Sequence, residues 1–314
     1  MAEKRIETKR LGADASGISD AAEILRAGGL VAFPTETVYG LGADATNGLA
    51  VAGIFEAKGR PSFNPLIVHV SSLDMAERYG VFSDAARAFV EQAWPEAVSV
   101  VVPLRPDSGL SELVTAGQSS VALRMPRSEI ALKLLRTFGG PVAAPSANLS
   151  GKISPTNADH VLKGLDGRID AVIDGGQTPQ GLESTIIGFV DDQPVLYREG
   201  AFVNLTTDMV RQLDGDTSPV APGQLASHYA PKASLRLNAD KARDGEMLIG
   251  FGDIAGDLSL SPSGDLREAA ANLYALLHQA DERDVERLAV APIPNEGLGR
   301  AINDRLLRAA APRV

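Results

Sequence analysis

The residues of this 314-residue chain best suited to chemistry fall in four short clusters. Pro34-Thr35-Glu36-Thr37-Val38-Tyr39-Gly40-Leu41-Gly42 follows directly on the apolar run Leu30 to Phe33. Open α/β sheets bind ligands at strand ends, although a turn whose hydroxyls satisfy backbone groups gives the same string. Lys58-Gly59-Arg60-Pro61-Ser62-Phe63-Asn64-Pro65 sets two cations about a helix-stopping glycine and stiffens the chain with prolines. Such a loop suits a triphosphate, with Lys as a point charge and Arg as a fork; plain helix C-terminal charge fits equally well. Arg124 stands in an alternating strand with Ser120 on the same face, and needs a carboxylate from protein or ligand. Ala144-Pro145-Ser146-Ala147-Asn148, with Ser150 and Ser154 behind it, offers small hydroxyl and amide groups for phosphate or adenine, or a proline turn with a helix cap. Ser184-Thr185 and Arg198 extend the inventory, while His69 alone reads as a satisfied core histidine.

The sequence offers no standard phosphate loop. GxxxxGK[ST] is missing, and Gly40-Leu41-Gly42 lacks the third glycine of GxGxxG, so a nucleotide would be held by side chains and strand ends. Cysteine is absent, and the histidines His69, His160, His228 and His278 lie far apart, which argues against zinc and thiol chemistry. A net charge of −10 argues against broad coating of a nucleic-acid backbone but not against a small basic pocket. With 44% hydrophobic and 22% charged residues the composition is globular. No run approaches the ~18–20 apolar residues of a membrane span, and no signal peptide is recognisable. A cytoplasmic protein is expected, in which Asn148-Leu-Ser150 and Asn204-Leu-Thr206 match the glycosylation pattern by chance.

Apolar runs alternating with capped amphipathic stretches must position these clusters. Helices are expected over Ser19 to Arg26, from the Asn47 cap to Lys58, from Ser83 toward Trp94, over Glu129 to Phe138 and Asn157 to Lys163. Strands are expected over Leu30 to Phe33, Leu66 to Val70, Val98 to Leu104, around Val121 to Met125, over Pro141 to Ala144 and Ala171 to Asp174. Glu183 to Val190 and Pro194 to Arg198 suit a hairpin through Asp191-Asp192-Gln193. The pattern is α/β with a mixed sheet. After a last helix near Leu205 to Leu213, Asp214 to Ala233 loses periodicity and reads as a linker. Strands at Glu246 to Phe251 and Leu288 to Ala291, with helices at Leu266 to Ala280 and Leu298 to Ala310, predict a small second α/β unit.

Taken together, PTETVYGLG, KGRP followed by NPL and a strand-ending His, LRMP, APSAN and ESTI resemble the threonylcarbamoyl-AMP synthase (YrdC-like) family in its longer form. They occur in family order across Leu30 to Gly200, and His228-Tyr229-Ala230-Pro231 matches the linker of the long form. The resemblance implies a YrdC-like twisted mixed sheet with flanking helices over 1–204, a linker or lid over 205–231, and a small Rossmann-like α/β domain over 232–314. It implies synthesis of threonylcarbamoyl-AMP from L-threonine, bicarbonate or CO2, and ATP, with Mg²⁺ bound through the phosphates. A downstream complex that transfers the group to tRNA is implied as partner, while direct contact with tRNA stays open.

By the same resemblance Lys58, Arg60, Ser146 and Asn148 form the family's tetrad around the ATP phosphates. Thr37, His69, Arg124 and Ser184 line the threonine pocket. Asn64, Ser120, Ala144, Ser154, Arg198 and Tyr229 contact nucleotide. The chain departs at Leu225-Ala226-Ser227, where the family pattern often carries basic residues, so no basic phosphate contact is assigned there. Two rival readings are a non-catalytic double-stranded RNA or tRNA binder of the same fold, disfavoured by net charge, and a related carbamoyl-transfer enzyme. The second usually carries zinc-binding segments, which a chain without cysteine does not supply.

Overall fold

A computed structural model of the protein describes residues 7–203, 211–212 and 228–312. The first part of the chain builds β1 (Lys9–Gly12), α1 (Ala15–Arg26), β2 (Val31–Pro34), β3 (Tyr39–Asp44), α2 (Gly48–Lys58) and β4 (Ile67–His69). Then come α3 (Leu73–Ala76), α4 (Asp84–Ala93), β5 (Val98–Pro103), α5 (Glu112–Thr115), β6 (Ser120–Arg124) and α6 (Glu129–Phe138). β7 (Val142–Ala143), α7 (Ala158–Leu165), β8 (Ala171–Asp174), β9 (Thr185–Val190), β10 (Gln193–Arg198) and β11 (Arg211–Gln212) complete it. The second part holds β12 (Ser234–Arg236), β13 (Met247–Gly250), β14 (Leu258–Ser259), α8 (Leu266–Glu282), β15 (Arg287–Val290) and α9 (Leu298–Ala310).

An eleven-stranded mixed sheet runs in the order β1-β8-β2-β3-β7-β4-β6-β5-β9-β10-β11. The second sheet, β12-β15-β13-β14, is all parallel, as expected of a small Rossmann-like unit. Local chemistry sets the bounds that matter for function. Asn47 accepts from the backbone of Leu49 and Ala50 to start α2, and Gly59 at φ 59° stops it, which leaves Lys58 in the last turn. The β9–β10 hairpin turns through Asp191 and Asp192, both at positive φ, as a two-residue hairpin requires.

Three differences from the sequence reading stand out. α1 begins at Ala15, capped by Asp14, four residues before the expected Ser19. β12 and β14 are too short to show a period. Arg211–Gln212 pairs parallel with β10 where the end of a helix is expected; the rest of that stretch and most of the linker, including Leu225-Ala226-Ser227, lie outside the described residues.

One apolar core gathers Leu41, Val68, Val100 and Leu123; another packs α1 and α6 against Val31 and Phe33. The core of the second part, built on Leu273, Leu277, Leu288 and Ile302, also takes in Val38, Ile153, Leu182 and Tyr229. The two parts therefore share a core, and it lies beside the motif clusters. No helix among the described residues is long and apolar enough to cross a membrane.

Candidate active site

His69 ends β4 and Arg124 ends β6, and the parallel register sets them side by side. β7 runs antiparallel to β4 and hands the chain to Ala144 and Ser146, while Ser146 bridges to Gly40. Glu183 and Ser184 enter β9, and Arg198 leaves β10. These strand ends enclose a pocket lined by Thr37, Arg60, His69, Arg124, Ala144 and Ser146, and by Glu183, Ser184, Arg198 and Tyr229.

The pocket is rich in buried cations. Lys58 is 2% exposed; its ammonium donates to the carbonyl of Ser146 at 2.5 Å and to that of Asn148, bracing the turn. Burial, with Arg60 close by, holds its pKa well below 10.5. Arg60 donates to the carbonyl of Pro65 at 3.1 Å, and burial lowers it to about 10, which leaves it charged near neutrality. Arg198 donates to the Ser184 carbonyl at 2.8 Å and to its hydroxyl at 3.2 Å. Arg124 donates to Glu36 Oε1 at 2.5 Å and to the Thr37 hydroxyl at 2.9 Å, so its protein carboxylate is Glu36. Burial, then Arg124, holds His69 at about 3, so this ring is neutral.

Lys58 and Asn148 stand just behind the pocket wall. The Asn148 amide bonds the carbonyls of Leu149 and Lys152. Asn64 offers its carbonyl to Arg60 at 3.4 Å. Ser154 is fully buried and gives its hydroxyl to Glu183 at 2.6 Å, so it supports the wall and does not face the pocket. Ser120 stands farther away. It pairs with Pro103 at the other end of β6, ~13 Å along the strand from Arg124 at about 3.3 Å per residue, and does not line the pocket.

Several buried polar atoms here have no protein partner: Asn64 Oδ1, His69 Nδ1, Arg124 Nε, Asn148 Oδ1, Glu36 Oε2 and His228 Nδ1. Buried polar atoms are normally satisfied, and three of these, His69 Nδ1, Arg124 Nε and His228 Nδ1, belong to residues that line the pocket, where a ligand can complete them.

Residues 23–200 match the family model described as "Telomere recombination", and residues 195–311 the one described as "Threonylcarbamoyl-AMP synthase, C-terminal domain". Threonylcarbamoyl-AMP synthase of Bacillus subtilis (strain 168) is 40% identical, over 98% of this chain and 96% of that protein. The chain belongs to the threonylcarbamoyl-AMP synthase family. The Pyrococcus abyssi (strain GE5 / Orsay) threonylcarbamoyl-AMP synthase is 37% identical over 94% of each. The crystal structure of P. abyssi Sua5 complexed with L-threonine matches with a TM-score of 0.86 at 35% identity, over 97% of both chains. That structure thus shares both parts of this fold.

Motif reading gave no role to Glu36 or Glu183 and missed Tyr274 and Arg305. Arg305 had a signal in the sequence: it falls on the apolar stripe of α9 with Ala301, Ile302, Leu306 and Ala309, where a lone charge demands a buried partner.

Proposed function

We propose that this pocket joins L-threonine and bicarbonate to the AMP moiety of ATP, releasing pyrophosphate and threonylcarbamoyl-AMP. The observation that carries the proposal is the group of cations, buried Lys58, Arg124 and Arg198 with half-buried Arg60, beside unpartnered polar atoms at a pocket where the nearby carboxylates Glu36 and Glu183 already face arginines. Such a site favours an anionic ligand.

The amine of threonine adds to CO2 and loses a proton, giving a carbamate. A carbamate oxygen then attacks the α-phosphorus, and the bond to pyrophosphate breaks. No protein nucleophile is required, so the residues act by placement and charge. Arg60 faces the phosphates, and Lys58 lends its charge from just behind the wall; an arriving polyphosphate offsets the desolvation that depresses the Lys58 ammonium. The turn from Ala144 to Asn148, braced by Lys58, presents Ser146, and Asn64, Arg198 and Tyr229 complete the nucleotide side. Arg124, whose Nε has no partner, takes the threonine carboxylate, with His69 beside it. Thr37 and Ser184 read the substrate hydroxyl, a polar contact that rejects analogues lacking it.

Magnesium enters with ATP as part of the substrate. Among the described residues no group of three His, Asp or Glu is placed to hold a metal. A carbamate–phosphate anhydride hydrolyses readily, so a tRNA-modifying complex that receives it belongs to the proposal. Pyrophosphate release without RNA is the test: it should require threonine and bicarbonate together. ATP turnover indifferent to threonine would contradict it.

A further inference from the structure

Glu183 is 6% exposed, and most of what holds it comes from the C-terminal part of the chain. Arg305 of α9 donates from Nε to Glu183 Oε2 at 2.8 Å, and Tyr274 of α8 gives its hydroxyl to the same carboxylate at 2.9–3.0 Å. Ser154 supplies a further bond, and its own carbonyl meets His278 Nε2 of α8 at 3.2 Å. Arg305 reaches on to the carbonyl of Glu199 at 2.8 Å, and its guanidinium lies 5.2 Å from the Tyr229 ring centre. Tyr229 in turn stacks on Tyr274 at 5.7 Å.

The backbone is fitted to this arrangement. Gly181, at φ +67°, packs so tightly on α8 that a Cβ there would lie 2.4 Å from the Ala270 carbonyl oxygen. A Cβ at Gly200 would lie 2.4–2.5 Å from the backbone of Glu183, Ser184 and Thr185. No larger residue fits either position without moving the Glu183-Ser184 segment.

We propose that Tyr274 and Arg305 are positioning residues for the active site: through Glu183 and Tyr229 they fix two of its walls, so the C-terminal domain completes the pocket. The inference rests on the function proposed above and gives the C-terminal domain a part in it. Glu183 adjoins Ser184, whose hydroxyl is further fixed by Ser99 at 2.8 Å and by Arg198. A shift of Glu183 therefore moves the group that reads the threonine hydroxyl, and a shift of Tyr229 moves the nucleotide side. Arg305 is 1% exposed, and the carboxylate it meets sits among Arg198 of β10, Tyr274 of α8, and His228 and Tyr229 of the linker. With the Arg305 charge gone, burial favours the protonated Glu183 carboxyl against Arg198 alone, and a proton on Oε2 removes one of the two oxygens that the Tyr274 hydroxyl reaches.

The test is steady-state kinetics of the full chain carrying Tyr274→Phe, Arg305→Met or Arg305→Lys, with product formation followed from pH 6 to 9 and thermal unfolding measured alongside. Tyr274→Phe keeps the ring stack and removes one hydroxyl, and should lower kcat/KM for threonine roughly tenfold, the weight of one bond to a charged group. Arg305→Met should add a loss of kcat/KM toward acid that the unaltered enzyme lacks, and Arg305→Lys should restore most of it. Folded Tyr274→Phe with unaltered kcat/KM, or folded Arg305→Met with an unaltered pH profile, overturns the inference. Should Arg305→Met fail to fold, Tyr274→Phe decides alone. An unaltered chain that makes no threonylcarbamoyl-AMP overturns the proposed function and this inference with it.

Discussion

Arg124 meets Glu36 Oε1 at 2.5 Å with both side chains 5% exposed, a charge pair sealed into the wall of the pocket. The pair leaves Arg124 Nε without a partner. In the function proposed above, Glu36 holds the guanidinium in place for a second carboxylate, that of threonine.

Arg124→Lys should therefore raise the threonine KM by about 10–100-fold and the ATP KM little, because an ammonium cannot serve two carboxylates with a planar fork. Glu36→Gln should shift the threonine KM the same way by a smaller factor. Separate titrations of the two substrates check this; equal damage to both would make Arg124 a nucleotide contact or a purely structural residue.

Lys58→Ala and Arg60→Ala should each remove most adenylate synthesis while the chain still folds. By analogy with a lost oxyanion donor the expected deficit is ~2.7–4 kcal/mol in the transition state, about 100- to 1000-fold in kcat. Lys58→Ala also orphans the carbonyls of Ser146 and Asn148, so a modest fall in stability should accompany it. Near-normal turnover in both variants would remove the phosphate assignment.

Tyr229 is 1% exposed at φ 64°, a left-handed backbone that a bulky residue adopts only when its surroundings compel it. Such strain points to function. Tyr229→Ala should weaken ATP binding more than threonine binding in calorimetric titrations, and identical losses for the two ligands would count against a nucleotide-side role.

Burial lowers three histidines, His69, His228 and His278, to about 3, and His160 to about 4. Each is neutral in the fold, and in the unfolded chain each takes up a proton near 6.5. The stability they confer is complete above pH 6.5 and declines as the pH falls from there toward 3–4. At ~1.4 kcal/mol per pH unit each, the three most buried give up at most about 4 kcal/mol between pH 6.5 and 5.5. Urea unfolding at pH 7.5 and 5.5 should show a loss of a few kcal/mol, and an unchanged midpoint would refute it.

The sequence made legible what local chemistry writes into contiguous residues. α6 spans Glu129–Phe138 because Ser128 caps it and Gly139 ends it, and both signals stand in the sequence. The start of α1 is not legible, because Gly17 in its first turn hides the Asp14 cap. The motif residues gather because most lie at strand ends. Ser120 shares a face with Arg124 yet falls outside the pocket, since a shared face does not bring two ends of a strand together. The pairs of Glu183 with Tyr274 and Arg305 span 91 and 122 positions and join two parts of the fold, so no local pattern announces them.

The most direct measurement is mass spectrometry of the product formed from isotopically labelled threonine, labelled bicarbonate and ATP. The account predicts one species carrying both labels joined to AMP, with one pyrophosphate released for each. AMP or ADP formed with neither label attached, or an adenylate of threonine lacking the bicarbonate carbon, would contradict it.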